Sequence, residues 1–257
     1  MTVPFVHLRL HSEYSLVDGL VKLKSLVSTT AERAMPALAL TDETNLFGLV
    51  KFYKAAQGAG LKPIIGSDLW LQNPHDESHP YRLTLLAMND VGYRNLTELI
   101  SKGWTHGQRQ GRAILDKQWV LEQSEGLIAL SGAREGEIGR HLLSDHEQDA
   151  RVLLEEWQAA FPERFYLELI RTGRPLEEAC VHASVKLAIE TGTPVVATND
   201  VRFLELEDYW AHETRVAIGE GKALDDPRRE RRYTEEQYLK SPDEMAALFA
   251  DIPEALE

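Results

Sequence analysis

Seven short apolar runs, rich in β-branched residues, recur along the chain: "FVHLRL" (5–10), "ALALT" (37–41), "PIIGSDLWL" (63–71), "YRLTLLAM" (81–88), "GLIALS" ending at Ser131, "FYLELI" (165–170) and "PVVAT" (194–198). Each has the length of a buried strand, and helical stretches separate most of them. Leu20, Leu23, Val27 and Ala34 fall at helical spacing over residues 20–34. Leu176, Cys180, Ala183 and Leu187 do the same over 175–191, where Gly192 and Pro194 supply the stop signals. Strand and helix alternating this often predict parallel strands with helices outside. No domain boundary shows before about residue 205. Beyond it, "DYWAHETRVAIGEGKA" predicts a helix and "DDPRRERRYT" a charged loop. "SPDEMAALFADIPEALE" predicts a second helix, with Ser241 as N-cap, Pro242 at N1 and acids in the first turn. The chain ends at "PEALE" without a Gly or Pro stop, the pattern expected of a piece of a longer protein.

The 257 residues suffice for one large α/β barrel or two ordinary domains, and 43% hydrophobic content fits a packed core. No apolar run approaches the roughly 18 residues of a membrane span. The N-terminus lacks the cationic start, apolar stretch and cleavage site of a secretory signal. Cys180 is the single cysteine, so an internal disulfide is excluded; its place on the apolar stripe of a helix fits a buried thiol in a reducing cytoplasm. A net charge of −13 repels phosphate backbones, so the chain as a whole is a poor grip for nucleic acid. "THGQRQGR" (105–112) and "PRRERR" (227–232) are local basic patches that read first as solvated loops.

Polar residues gather at the ends of the apolar runs. His11, Ser12, Glu13 and Asp18 follow the first, and Asp42 and Glu43 the second; Asp68 lies in the third. The fifth ends at Ser131-Gly132, the sixth runs into Arg171-Thr172-Gly173, and the seventh into Asn199-Asp200-Val201-Arg202. In a parallel barrel these ends converge on one face, where sites are built. On the first strand His7, Arg9 and His11 share a side. Two histidines flanking a third would read as a metal strand, but arginine keeps its proton and cannot ligate. Of the nine histidines only His7 and His11 lie near the expected site, too few for a multinuclear hydrolase.

These residues resemble the PHP (polymerase and histidinol phosphatase) family, in the form found at the N-terminus of bacterial DNA polymerase III α subunits. "FVHLRLHSEYSLVDGL", "MPALALTDETNLFGLVKFY", "GLKPIIGSDLWL", "GYRNLTELIS", "FYLELIRTGRP", "VVATNDVRF" and "YLKSPDEM" resemble its successive signature blocks, in order along essentially the whole chain. The resemblance implies a distorted TIM-like (β/α)7 barrel over about residues 1–205. It implies a C-terminal helical extension over about 206–257, all within one PHP domain. It also implies that a metal site has degenerated. The His-x-His of active members is Arg9-Leu10-His11 here, and the following Asp is kept as Asp18. Their Asp-His after the second strand is Asp42-Glu43, and their third-strand glutamate is Asp68. Arg82, Ala133 and Thr172 stand where they carry His, Cys and His, and their final Asp-x-His is Asp200-Val201-Arg202.

A guanidinium repels cations and binds carboxylates bidentately. Arg9, Arg82 and Arg202 are therefore expected to stand in for metal charge, holding Asp18, Glu43, Asp68 and Asp200 in an ion-pair network. The resemblance then implies a catalytically degenerate, cytoplasmic module of a DNA-directed DNA polymerase, without a cofactor of its own. The Mg²⁺ of nucleotide addition, and the DNA, would engage other domains of the parent chain. The module would support the polymerase and dock the proofreading 3′–5′ exonuclease subunit, with Trp70, Trp104 and Trp157 as candidate contacts or core residues. A residual metal-dependent phosphoesterase, either exonuclease or pyrophosphatase, is the alternative. In it His11, Asp18, Asp68 and Asp200 hold one ion weakly; a third reading has the arginine face bind an anion such as pyrophosphate.

Overall fold

The computed structural model describes residues 5–257. Eight strands form one mixed sheet: β1 (Ala37–Leu40), β2 (Lys62–Leu71), β3 (Tyr81–Ala87), β4 (Gln108–Arg109), β5 (Arg112–Leu115), β6 (Leu127–Leu130), β7 (Phe165–Ile170) and β8 (Val195–Thr198). The order is β4-β5-β2-β3-β6-β7-β8, with β1 paired to the first half of β2. The helices are α1 (Leu23–Glu32), α2 (Leu49–Gly58), α3 (Asp90–His106), α4 (Lys117–Glu122), α5 (Glu137–Leu143), α6 (Glu147–Ala160), α7 (Glu177–Thr191), α8 (Tyr209–Gly219) and α9 (Pro242–Leu248).

The mixed α/β class matches the expectation, but the all-parallel sheet needs correction. β3 runs antiparallel to both β2 and β6. The cause is the β2–β3 link, a loop over residues 72–80 with no helix to carry the chain back. The β4–β5 hairpin was not expected either; its turn places Gln110 and Gly111 at φ 51° and 81°, the backbone of a tight hairpin turn. The first apolar run is extended chain with a single bridge, Leu10 to Val201, in place of a regular strand. It nevertheless spans the open side of the sheet. His7 O and Leu10 O accept from Ala39 N and Thr41 N of the β1 edge, and His11 N donates to Val201 O beyond β8.

Helix signals act where they were expected. Ser241 caps α9 through a capping box with Glu244, and Gly192 closes α7 in the left-handed conformation. α1 starts at Leu23, leaving Leu20 outside. The largest core lies between the sheet and α3–α7, built on Leu83, Leu85, Leu96, Leu99, Trp157 and Phe165. A second layer packs α1 and α2 over Leu10, Leu38, Leu40 and Val201. Cys180 is buried, and burial pushes its thiol up to about 11. Among the described residues no helix is long and apolar enough to cross a membrane.

Inside the sheet the period of two sets the site's depth. Ile64, Leu86, Ile128, Tyr166 and Val196 pack with Ala39 and Leu130 as an apolar plug. Two residues on along the same faces come Thr84, Glu168 and Thr198, and four on come Asp68 and Arg82. Because β3 is antiparallel, Arg82 near its start reaches the same level as Asp68 near the end of β2, where Arg82 pairs with Trp70.

Candidate functional site

Above the plug lies a cluster of buried charges. Arg9 is fully buried and places its guanidinium 2.9 Å from Asp68, 3.3 Å from Glu168 and 3.3 Å from Asp200. Arg82 lies 3.0 Å from Glu43, 3.4 Å from Asp68 and 3.7 Å from Asp18. Arg202 pairs with Asp18 and, at 2.6 Å, with Asp200. His11 sits between Asp18 and Asp68, 3.0 Å from each through its two ring nitrogens. Arg174 adds 3.1 Å to Asp200 and 2.7 Å to Glu177.

The electrostatics follow from these pairs. Burial alone would raise the Asp18, Asp68 and Asp200 carboxyls, but the guanidiniums outweigh it and hold all three below the ordinary range. Burial and Arg202 oppose charge on His11, yet hydrogen bonds to Asp18 and Asp68 raise its pKa. Glu168 goes the other way: burial outweighs Arg9 and lifts it, while Thr198 Oγ1 donates to it at 2.6 Å.

Three expected positions stand apart from the ion pairs. Asp42 accepts from Ser12 N at 2.7 Å and Ser15 Oγ at 2.6 Å, so it ties loops together. Thr172 donates through its amide and hydroxyl to Glu177. Ala133 is a buried apolar residue at φ 47°, after Gly132 at φ 79°. His7 is a correction: it is turned away from the cluster, with Nε2 bonded to Lys240 O and Phe5 edge-on at 4.9 Å. Burial lowers it to about 4. "PRRERR" is a partial correction: Arg229 is buried on Glu213 at 2.7 Å, whereas Arg228 stays exposed on Asp226. Trp157 is core, Trp70 is half-buried and Trp104 is exposed.

Several members were missed. Glu168 is the lone acid in the apolar run "FYLELI", a signal that was available. Arg174 follows Thr172 by two residues. Tyr233 donates to Asp18, and Gln237 Nε2 donates to Asp200 at 2.9 Å. Both come from residues 229–240, which strap across the mouth; no local pattern marks them. Beyond the cluster opens a cleft of about 1050 Å³, lined by Arg82, Arg202, Trp70 and Tyr233 among others.

The PHP domain model matches residues 7–172. The chain belongs to the PHP domain family. This PHP domain is 60% identical, over its full length, to the DNA polymerase III subunit alpha of Pseudomonas aeruginosa, of which it covers 22%. It is 53% identical over 98% of its length to that of Escherichia coli strain K12, again covering 22%. It thus spans about a fifth of the length of the relatives it matches. An amidohydrolase structure from Chromobacterium violaceum aligns at 17% identity with a TM-score of 0.51, covering 77% of this chain and 87% of that one; the likeness is one of fold. Among the described residues of the PHP domain, no group of three or more His, Cys, Asp or Glu side chains is arranged to hold a metal ion.

Proposed function

We propose that this chain is the N-terminal PHP domain of a replicative DNA polymerase III α subunit, acting as structural support and as the dock for the proofreading 3′–5′ exonuclease subunit. The observation that carries the structural half is the arginine cluster. Asp18, Asp68 and Asp200, the carboxylates best placed for a metal, each lie within ion-pair distance of at least two guanidiniums. Such a donor set does not fit a divalent cation: its charge would meet fixed positive charge, and its ligands already hold partners. The residues present offer no open coordination position for activating water. Full-length similarity to α subunits supports the placement in a polymerase. On this reading the DNA and the Mg²⁺ of nucleotide addition engage other domains, and the setting is the cytoplasm.

Elemental analysis of the full-length parent subunit, with polymerase-domain metal subtracted using a PHP-deleted form, tests the first half. Stoichiometric Zn or Mn retained by the PHP domain would overturn it. Size-exclusion chromatography with the exonuclease subunit tests the second, and separate elution at micromolar concentration would sink it.

A further inference from the structure

Charge is unevenly spread along the chain. Residues 1–67 carry seven Lys and Arg against five Asp and Glu, whereas the remaining residues carry 21 against 36. Residues 44–67 contain no acid at all. Of the five acids before residue 68, Asp18 and Asp42 are buried and Glu43 is bound to Arg82, which leaves Glu13 and Glu32. Both arginines are also taken, Arg9 by the buried cluster and Arg33 by Glu205. The five lysines of this stretch therefore set the sign of its surface.

The fold gathers these lysines on one layer. α1 and α2 pack together through Leu23, Leu26, Phe52 and Ala56, which leaves their other faces in solvent. Lys22 and Lys24 stand at the start of α1, Lys51 and Lys54 on α2, and Lys62 at the start of β2; all five are exposed. Among the described residues Lys22, Lys24, Lys54 and Lys62 have no salt-bridge or side-chain hydrogen-bond partner. Lys51 donates to Tyr14 Oη at 2.5 Å and keeps two further donors. Apolar groups interleave with the charges. Phe47, Val50, Lys51 and Lys54 step by three and four along α2 and its entry, with Tyr53 beside them. Phe47, Val50 and Tyr53 are 68%, 64% and 45% exposed.

We infer that the outer face of α1 and α2 binds single-stranded DNA, with the lysines on backbone phosphates and Phe47 and Tyr53 against unpaired bases. Unpaired ammonium groups attract a phosphate backbone without reading its sequence. Exposed rings stack on unpaired bases, whose faces an intact duplex hides, so rings interleaved with lysines favour a single strand. An acidic protein surface would satisfy the lysines but not the rings between them. The net charge of −13 does not prevent this binding. At about 0.1 M salt, charges beyond about 10 Å are largely screened, so the five lysines outweigh acids elsewhere on the surface. The face is separate from any dock for the exonuclease subunit; the choice of DNA over RNA rests on the polymerase reading above.

The test is photocrosslinking in the full-length parent subunit, with p-benzoylphenylalanine in place of Tyr53 and labelled oligothymidylate as the probe. It reads contact at this face alone, whatever DNA the other domains hold. The expected result is a DNA adduct whose yield falls steeply between about 50 and 200 mM salt. Lys24→Glu and Lys54→Glu, at exposed positions where substitution leaves the fold intact, are each expected to lower the yield about threefold or more. The same crosslinker in place of Ile189, 79% exposed on α7, is expected to give no adduct. No adduct from position 53, or an equal yield from position 189, would overturn the inference. So would equal yields from duplex DNA, higher yields from oligouridylate, or an adduct to the exonuclease subunit in place of DNA; these would assign the face to a duplex, to RNA or to a protein partner. Extension of a primed template by the same preparation checks the polymerase reading separately, and failure to extend it would overturn that reading whatever the adducts show.

Discussion

Replacing Arg9 with methionine keeps most of the side-chain volume and removes one charge. In the folded protein that charge faces Asp68, Glu168 and Asp200, and all four groups are inaccessible to water. Losing one partner of a buried pair costs about 3–5 kcal/mol, because the remaining charge keeps its desolvation penalty without its compensation. Arg82, Arg174 and Arg202 still neutralise Asp68 and Asp200 in part, which places Arg9→Met toward the lower end. For a domain of this size that corresponds to a fall in Tm of roughly 6–12 °C. The pH dependence identifies the cause. In the parent protein Asp68 and Asp200 are depressed, so their stabilisation is present above an ordinary carboxyl pKa of about 3.9 and lost as pH falls through the folded values. In the variant burial gains over attraction and the folded pKa values rise. Protons then bind the folded state more readily than they do in the parent, so acid relieves part of the defect. The stability gap between parent and variant is therefore widest near pH 7.5 and narrows toward pH 5. Differential scanning calorimetry at both pH values measures it. An unchanged Tm at pH 7.5 would refute the reasoning, and so would a gap of constant size.

Other substitutions probe separate parts of the fold. His11, raised by its two carboxylates, contributes stability that is full below its unfolded pKa of about 6.5 and fades as pH rises through the folded value; His11→Gln should flatten that slope, and NMR titration of the ring should give a pKa above 6.5. His7, held neutral at about 4, works in the opposite sense: its stabilisation is present above pH 6.5 and lost as pH falls toward 4, so His7→Gln should reduce acid sensitivity in urea titrations. Gly132→Ala should destabilise by about 2 kcal/mol or more, because φ is +79° and the new Cβ would lie 2.3 Å from Arg82 O; a midpoint within 0.2 M urea of the parent would contradict this. Trp157→Ala should cost about 3–5 kcal/mol in chemical denaturation, since the ring is core and stacks on Phe165 at 5.7 Å.

What the sequence could disclose was set by how each residue reaches its partners. Residues whose role follows from strand period were legible: Arg9, Asp68 and Asp200 lie on apolar runs or at their ends, and their convergence follows from parallel neighbours. Arg82 was placed by family resemblance alone, because it lies at the start of its run, away from the end where parallel strands gather their polar residues; only the antiparallel turn of β3 brings it level with Asp68. Gln110-Gly111 was read as part of a basic patch, although glycine between polar residues also signals a turn, and the hairpin it makes carries Arg112 to the cleft. Tyr233 and Gln237 were illegible in principle. Each reaches a carboxylate far away in the chain, 215 residues off for Tyr233 and 37 for Gln237, from a loop without periodicity, and nothing local to "RRYTEEQ" encodes Asp18. A charged layer buried in a fold must be balanced within a few ångströms, whatever part of the chain supplies the balance. Strand pattern can therefore reveal where such a layer begins, but the groups that complete it come from loops whose positions only the folded chain defines.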